Sequence, residues 1–201
     1  MVTTSDSRRS SSMSYRTFVR FSGMTCMIAG ILRICTAVIP TPPNPPTISL
    51  EIVYAIIDLC ILFGLLGVYS THYDRAGLWG FAGFLLAVTG AASILGPDVT
   101  VGYLDIYILG AGLLTMGLSL FAIKIWNTDR LPRIVPLLWL GSTGFGMGGM
   151  MSGIDMAIHF AGVAFGLGFL IAGWHFWRQT KSWPIDVCPH NWPTETSKHR
   201  Q

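Results

Sequence analysis

Charge is what this sequence has least of. Only 11% of its 201 residues are Asp, Glu, Lys or Arg, where a soluble domain carries roughly one-quarter. Hydrophobic residues reach 51% and the mean hydropathy is +0.54, so a water-exposed globule is excluded and a membrane protein indicated. The chain also lacks a phosphate-binding loop, a dinucleotide glycine motif and any dense His or Cys cluster, which removes the common nucleotide enzymes and leaves no metal site to assign. Its four cysteines form no C-x-x-C pair: Cys26, Cys35 and Cys60 fall in apolar stretches and Cys188 in the polar tail. No motif names a cofactor. Haem held by His159 with His72 or His175 fails on depth, because the latter two fall at the opposite edge of the membrane.

Long apolar runs are what the sequence has in plenty. A bilayer core about 30 Å thick needs about 20 mostly apolar residues per crossing, and six stretches qualify: 18–39, 49–70, 77–95, 103–126, 134–151 and 154–177. The expected fold is therefore all-α, an integral membrane bundle of six transmembrane helices over residues 18–177. A Ser-, Thr- and Arg-rich disordered cytoplasmic segment, 1–17, precedes it, and a polar cytoplasmic tail, 178–201, follows. The first run is read as a span and not a signal peptide, since it is long, contains Arg33 and ends in Ile-Pro-Thr-Pro-Pro without a small-x-small cleavage pattern.

Lysine and arginine collect in short cytoplasmic loops. Arg8, Arg9, Arg16, Arg20, Arg75, Lys124, Arg130, Arg133, Arg178, Lys181, Lys198 and Arg200 all fall on one side of a six-span chain, while the other side carries Glu51, Asp98, Asp105 and Asp155. Both termini are thus expected in the cytoplasm of a cell (inner) membrane. Trp79, Trp126, Trp174 and Trp177 at one edge and Tyr54, Tyr103 and Tyr107 at the other fit interfacial belts. Topology accounts for the net charge of +3, so no nucleic acid is invoked. The partner is the lipid bilayer.

Three segments, "LEIVYAIIDL", "LDIYILGAGL" and "IDMAIHFAGV", each open on an acid between apolar residues. Two readings fit: three related hairpins of about 50 residues each, or the preference of acids for the first turn of any helix. Glycines at four-residue spacing, Gly144 with Gly148, Gly149 with Gly153 and Gly162 with Gly166, mark the last two spans as the tightest pair. The same glycine-lined helices offer a contact to a larger membrane complex or a homo-oligomer.

Against this background a few polar residues are out of place. Arg33 lies seven residues before Pro40, roughly 10 Å below the outer end of the first span. Asp58 falls near the midplane of the second, and Glu51, seven residues earlier, shares its helix face. An isolated charge at such depth costs about 2.5–3.5 kcal/mol, so pairing of Arg33 with Asp58 or Glu51 is expected. The competing reading has Arg33 snorkelling to the headgroups while a protonated Asp58 bonds a neighbouring hydroxyl. Asp155 and His159, at i and i+4, share a face of the last span; the bland alternative is a helix-start acid and a histidine bonded to a carbonyl.

The stretches "RAGLWGFAGFLLAVTG" and "DRLPRIVPLLWLGSTG" resemble bacterial families of small polytopic membrane proteins of unknown function, in which a cytoplasmic Leu-Pro-Arg turn introduces an apolar helix. That resemblance implies a six-helix fold and no activity. "GSTGFGMGG" followed by "HFAGVAFG" resembles the serine and histidine helices of rhomboid proteases, which implies a serine nucleophile. Here, however, Thr143 holds the serine's place in the motif, no helix intervenes before His159, and no upstream His and Asn pair marks an oxyanion site.

The leading expectation is non-enzymatic: binding or passage of a small polar solute, ion or proton through an outward-facing polar chamber of Arg33, Glu51, Asp58, Asp155 and His159. The alternatives are an accessory subunit of a larger membrane complex, and a membrane enzyme acting on a lipid or isoprenoid with an intramembrane carboxylic acid.

Overall fold

The structure, a computed structural model, describes residues 5–38, 48–95, 100–101, 104–126, 128 and 130–182. Asp98, Tyr103, Cys188 and the tail beyond residue 182 lie outside these. Five helices carry the fold: α1 (Ser5–Val38), α2 (Ile48–Ile94), α3 (Ile106–Ile125), α4 (Ile134–Ser152) and α5 (Asp155–Ser182). A two-residue antiparallel ladder, β1 (Thr100–Val101) with β2 (Leu104–Asp105), precedes α3. α1 takes in residues 5–17, which sequence placed in a loose N-terminal segment.

The expected six-helix bundle is corrected to five helices among the described residues, all five apolar and long enough to cross a bilayer. The stretches 49–70 and 77–95 belong to one helix, α2, whose backbone leaves helical geometry only at Gly77 (φ 60°, ψ −172°). Residues 71–76 contain no proline or glycine to end a helix, so the helix runs up to Gly77 and resumes beyond it. The bend there is sharp: the rings of Tyr69 and Phe84 stack at 4.1 Å, whereas fifteen residues of straight helix would hold them about 22 Å apart. The first arm of α2, 48–76, packs on α1, and the second, 78–94, on α3.

Two seams of glycine bring backbones together. Where α1 meets α5, a Cβ on Gly30 would lie 2.6 Å from the carbonyl oxygen of Gly166, and one on Gly166 would lie 2.8 Å from that of Gly30. Seven residues away along each helix, Gly23 and Gly173 face one another in the same reciprocal way. The second arm of α2 repeats the device against α3, with Gly83 facing Gly117 and Gly90 facing Gly110. Seven residues make two turns, so both glycines of a helix lie on one face. The bare Cα atoms then approach opposing carbonyls closely enough for van der Waals and Cα–H···O contact. The expected tightest pair, α4 with α5, is instead joined mainly by side chains. Trp139 is fully buried over Gly168, and Ser142 Oγ donates to the Ala161 carbonyl at 2.9 Å. Gly144 and Gly148 face open space.

The outside is apolar. Phe21, Ile28, Ile31, Leu59, Leu85, Met116 and Ile123 are all exposed, which suits hydrocarbon as the surrounding medium. The acids of the three look-alike segments each stand at a helix start: Glu51 in the first turn of α2, Asp155 at the head of α5, and Asp105 as the N-cap of α3, accepting from the Tyr107 and Ile108 amides at 2.9 and 3.3 Å. The early part of α1 and the end of α5 share one end of the bundle, because the Arg16 guanidinium donates to the Thr180 carbonyl at 3.0 and 2.7 Å.

Gly30→Ala drives a methyl into backbone that has no flexible end to move, and should cost about 1–3 kcal/mol. Gly144→Ala, opening onto free space, should be neutral or stabilising by up to about 1 kcal/mol through helix propensity. Thermal unfolding of the two variants in detergent compares them directly; equal effects would dismiss the seam. Gly77→Ala should cost about 1–3 kcal/mol, since that backbone conformation is open almost only to glycine.

Candidate functional site

Gly67 of α2 lies against Ser22 of α1, and Gly64 against Cys26. The two helices therefore run antiparallel, and continuing that register brings Arg33 level with Ile57 and Asp58. Arg33 and Asp58 are both partly buried, and the guanidinium acts on the Asp58 carboxylate through its charge. No ion pair closer than 4.0 Å joins them, and neither side chain has a hydrogen-bond partner among the described residues. Two opposite charges thus share one depth between α1 and α2 without closing on each other.

The other expected site residues lie further out. Glu51 and Asp155 are exposed at their helix starts. His159 is exposed too, and its Nδ1 donates to the Ala37 carbonyl at 2.7 Å, one turn of α1 beyond Arg33. That bond is the carbonyl-tied arrangement; among the described residues Asp155 and His159 form no ion pair. His159 and Ala37 border an open cleft of about 360 Å³ whose other walls, Val38, Met156, Phe160 and Val163, are apolar. The structure brings Arg33 to Asp58 and His159 to α1, and it leaves Glu51 and Asp155 at the rim. No group of three His, Cys, Asp or Glu able to hold a metal occurs among the described residues.

The rhomboid-like motif has no catalytic geometry. Ser142 Oγ is buried and committed to Ala161, Thr143 Oγ1 donates toward the carbonyls of Trp139 and Thr115 while accepting from Ser119 Oγ at 2.8 Å, and His159 is held by α1.

A second polar cluster, which sequence reasoning missed, sits at the other end of the bundle beside the α2 bend. Arg130, in the turn before α4, donates NH1 to the Thr71 carbonyl at 2.7 Å and clasps Asp74 through two bonds of 2.7 and 2.9 Å. Gln179 of α5 donates to the Arg130 carbonyl at 3.5 Å and to His175 Nε2 at 2.8 Å. Tyr15 of α1 donates to the Ser70 carbonyl at 3.3 Å. At the centre lies His72, fully buried, with Nδ1 2.8 Å from both the Val68 carbonyl and Thr71 Oγ1, and its ring edge-on to Phe121. His72 Nε2 has no partner among the described residues. The available signal was a His-x-Asp between two apolar runs with His175 and Gln179 at i and i+4 on the last helix. Topology accounts for the basic residues of this end, and Asp74 and His72 carry no separate sequence signal strong enough to join them to Arg130.

Set against family models, curated proteins and solved structures, the chain matches none.

Arg130→Ala removes the clasp and the Thr71 bond together, and should lower stability by about 2–3 kcal/mol. Asp74→Asn should cost less than about 1 kcal/mol, because that carboxylate is 41% exposed and screened. Unfolding of both variants in detergent checks the order; equal losses would mean that the bond to Thr71 contributes nothing.

Proposed function

We propose that this protein is a multi-pass protein of the cell (inner) membrane, with both ends cytoplasmic, that binds or passes a small polar solute, ion or proton at a site centred on Arg33 and Asp58. One observation carries the reading. A cation and an anion stand at the same level of two apolar helices, within electrostatic reach yet without a closed ion pair or another partner among the described residues. A purely structural pair at that depth gains most by closing, since each unsatisfied charge is costly away from water. A pair held open leaves room for a third group, either an ion between the charges or a proton on the carboxylate. The cleft at His159 supports an approach from the acidic end. The cytoplasmic placement rests on basic residues: among the described residues every Lys and Arg except Arg33 belongs to the end where α1 starts and α5 finishes.

A second reading, an accessory subunit or homo-oligomer, is favoured by Gly141, Gly144 and Gly148 of α4, which face open space in a molecule whose other seams put glycine against backbone.

The test is a thermal-shift panel on the purified chain with alkali cations, small carboxylates and a pH series. Wild type should gain a few degrees with one class or across one pH interval, and both Asp58→Asn and Arg33→Ala should lose that gain. A flat panel for wild type, or the same response in both variants, would sink the proposal. Arg33→Ala/Asp58→Asn should recover about half or more of the summed single losses; simple additivity would separate the two charges.

A further inference from the structure

At the basic end, the seam between α1 and α5 runs out into a patch of alternating arginine and tryptophan. The Arg20 guanidinium lies 4.9 Å over the ring of Trp177, and that of Arg178 lies 5.1 Å over the ring of Trp174. Arg20 and Arg178 are exposed, as is Trp174 at 52%. Arg16, on the same stretch of α1, ties the seam shut through the Thr180 carbonyl. The described acids at this end are Asp6, near the start of α1, and Asp74, which Arg130 clasps. The patch thus has a strong net positive charge. Stacking holds a guanidinium by its face and leaves its fork of N–H donors at the edge, the geometry that suits a phosphate. Tryptophan beside it prefers the headgroup level of a bilayer. Charge, aromatic depth and rigid backing by a glycine seam therefore coincide at one place.

We propose that this seam binds the phosphate headgroup of an anionic phospholipid, with Arg20 and Arg178 as its cations and Trp174 and Trp177 against its glycerol and upper acyl chain. The lipid is held at the junction of the first and last helices, where it fastens the two ends of the chain to one leaflet. The inference goes beyond the Arg33 and Asp58 reading and depends only on the protein lying in a membrane.

Native mass spectrometry of the full chain released from detergent, with phosphatidylglycerol and phosphatidylcholine supplied equally, tests it. Wild type should retain phosphatidylglycerol in preference to phosphatidylcholine. Arg20→Ala/Arg178→Ala should weaken phosphatidylglycerol binding by about 25-fold, from about fivefold per cation, with phosphatidylcholine unchanged. Arg20→Lys/Arg178→Lys keeps the charge and loses the fork, so it should bind phosphatidylglycerol more weakly than wild type and more tightly than the double alanine variant, which separates a lost site from a misfolded protein. Lys124→Ala, at the same end but on α3, should bind as wild type does. Equal retention of the two lipids, undiminished binding by the double alanine variant, an equal loss in Lys124→Ala, or displacement of the lipid by millimolar inorganic phosphate would each overturn the proposal.

Discussion

Contact between glycine backbones is the constraint on which this bundle depends, because in lipid the apolar character of a helix gives it no reason to prefer another helix over the surrounding acyl chains. What remains is close packing, and bare Cα atoms allow the closest. The α1 and α5 seam makes the first and last helices of the chain neighbours, so Arg16 can reach Thr180. The α2 and α3 seam holds the second arm of α2 in the same manner. α4 completes the bundle differently, by hydroxyls: Ser142 to Ala161 on α5, and Ser119 of α3 to Thr143. Each of these bonds joins groups that hydrocarbon would leave unsatisfied, which gives α4 a direction as well as a place.

The bend at Gly77 then decides what the seams can enclose. A straight 47-residue helix would run about 70 Å, far beyond any bilayer core. Folding at one glycine brings Tyr69 onto Phe84 and Phe121 and packs both arms into one core. Arg130 locks that elbow from outside by holding Thr71 and Asp74 together, and Gln179 extends the hold to α5. The buried His72 lies inside the elbow, its Nδ1 satisfied by the turn beneath it.

Apolar runs and basic ends were legible in the sequence because hydropathy and charge are additive along the chain and need no partner to be read. The continuity of α2 was not, since six residues of polar helix and six residues of loop look alike when neither proline nor glycine separates them. Glycine contacts were half legible. Gly162 and Gly166 do meet α1, Gly166 closely, but the seams repeat at seven residues and not four, and Gly144 and Gly148 turn outward. Which face of a helix meets a neighbour depends on crossing geometry, and spacing alone does not supply it. Counting along two antiparallel helices sets Arg33 near the level of Asp58, and the contacts of Ser22 with Gly67 and of Cys26 with Gly64 give that register. The gap between the charges could not be counted from sequence.

The two ends of the bundle are held by different numbers of polar ties, and this bears on how a solute would reach the proposed Arg33 and Asp58 site. At the basic end, Tyr15, Arg16, Arg130 and Gln179 cross between elements with hydrogen bonds, several of them charge-assisted. In the middle and toward the acidic end, the crossing bonds among the described residues are His159 to Ala37, Ser142 to Ala161, and the Ser119, Thr143 and Thr115 set between α3 and α4. Parting α1 from α5 at the acidic end breaks the exposed His159 bond and the contact of Ala37 with Gly162, whereas parting them at the basic end breaks the two Arg16 bonds to Thr180, the Arg20 stacking on Trp177 and the Gly23 and Gly173 contact. The seam thus carries fewer polar ties at His159, one turn of α1 from Arg33, than at its basic end.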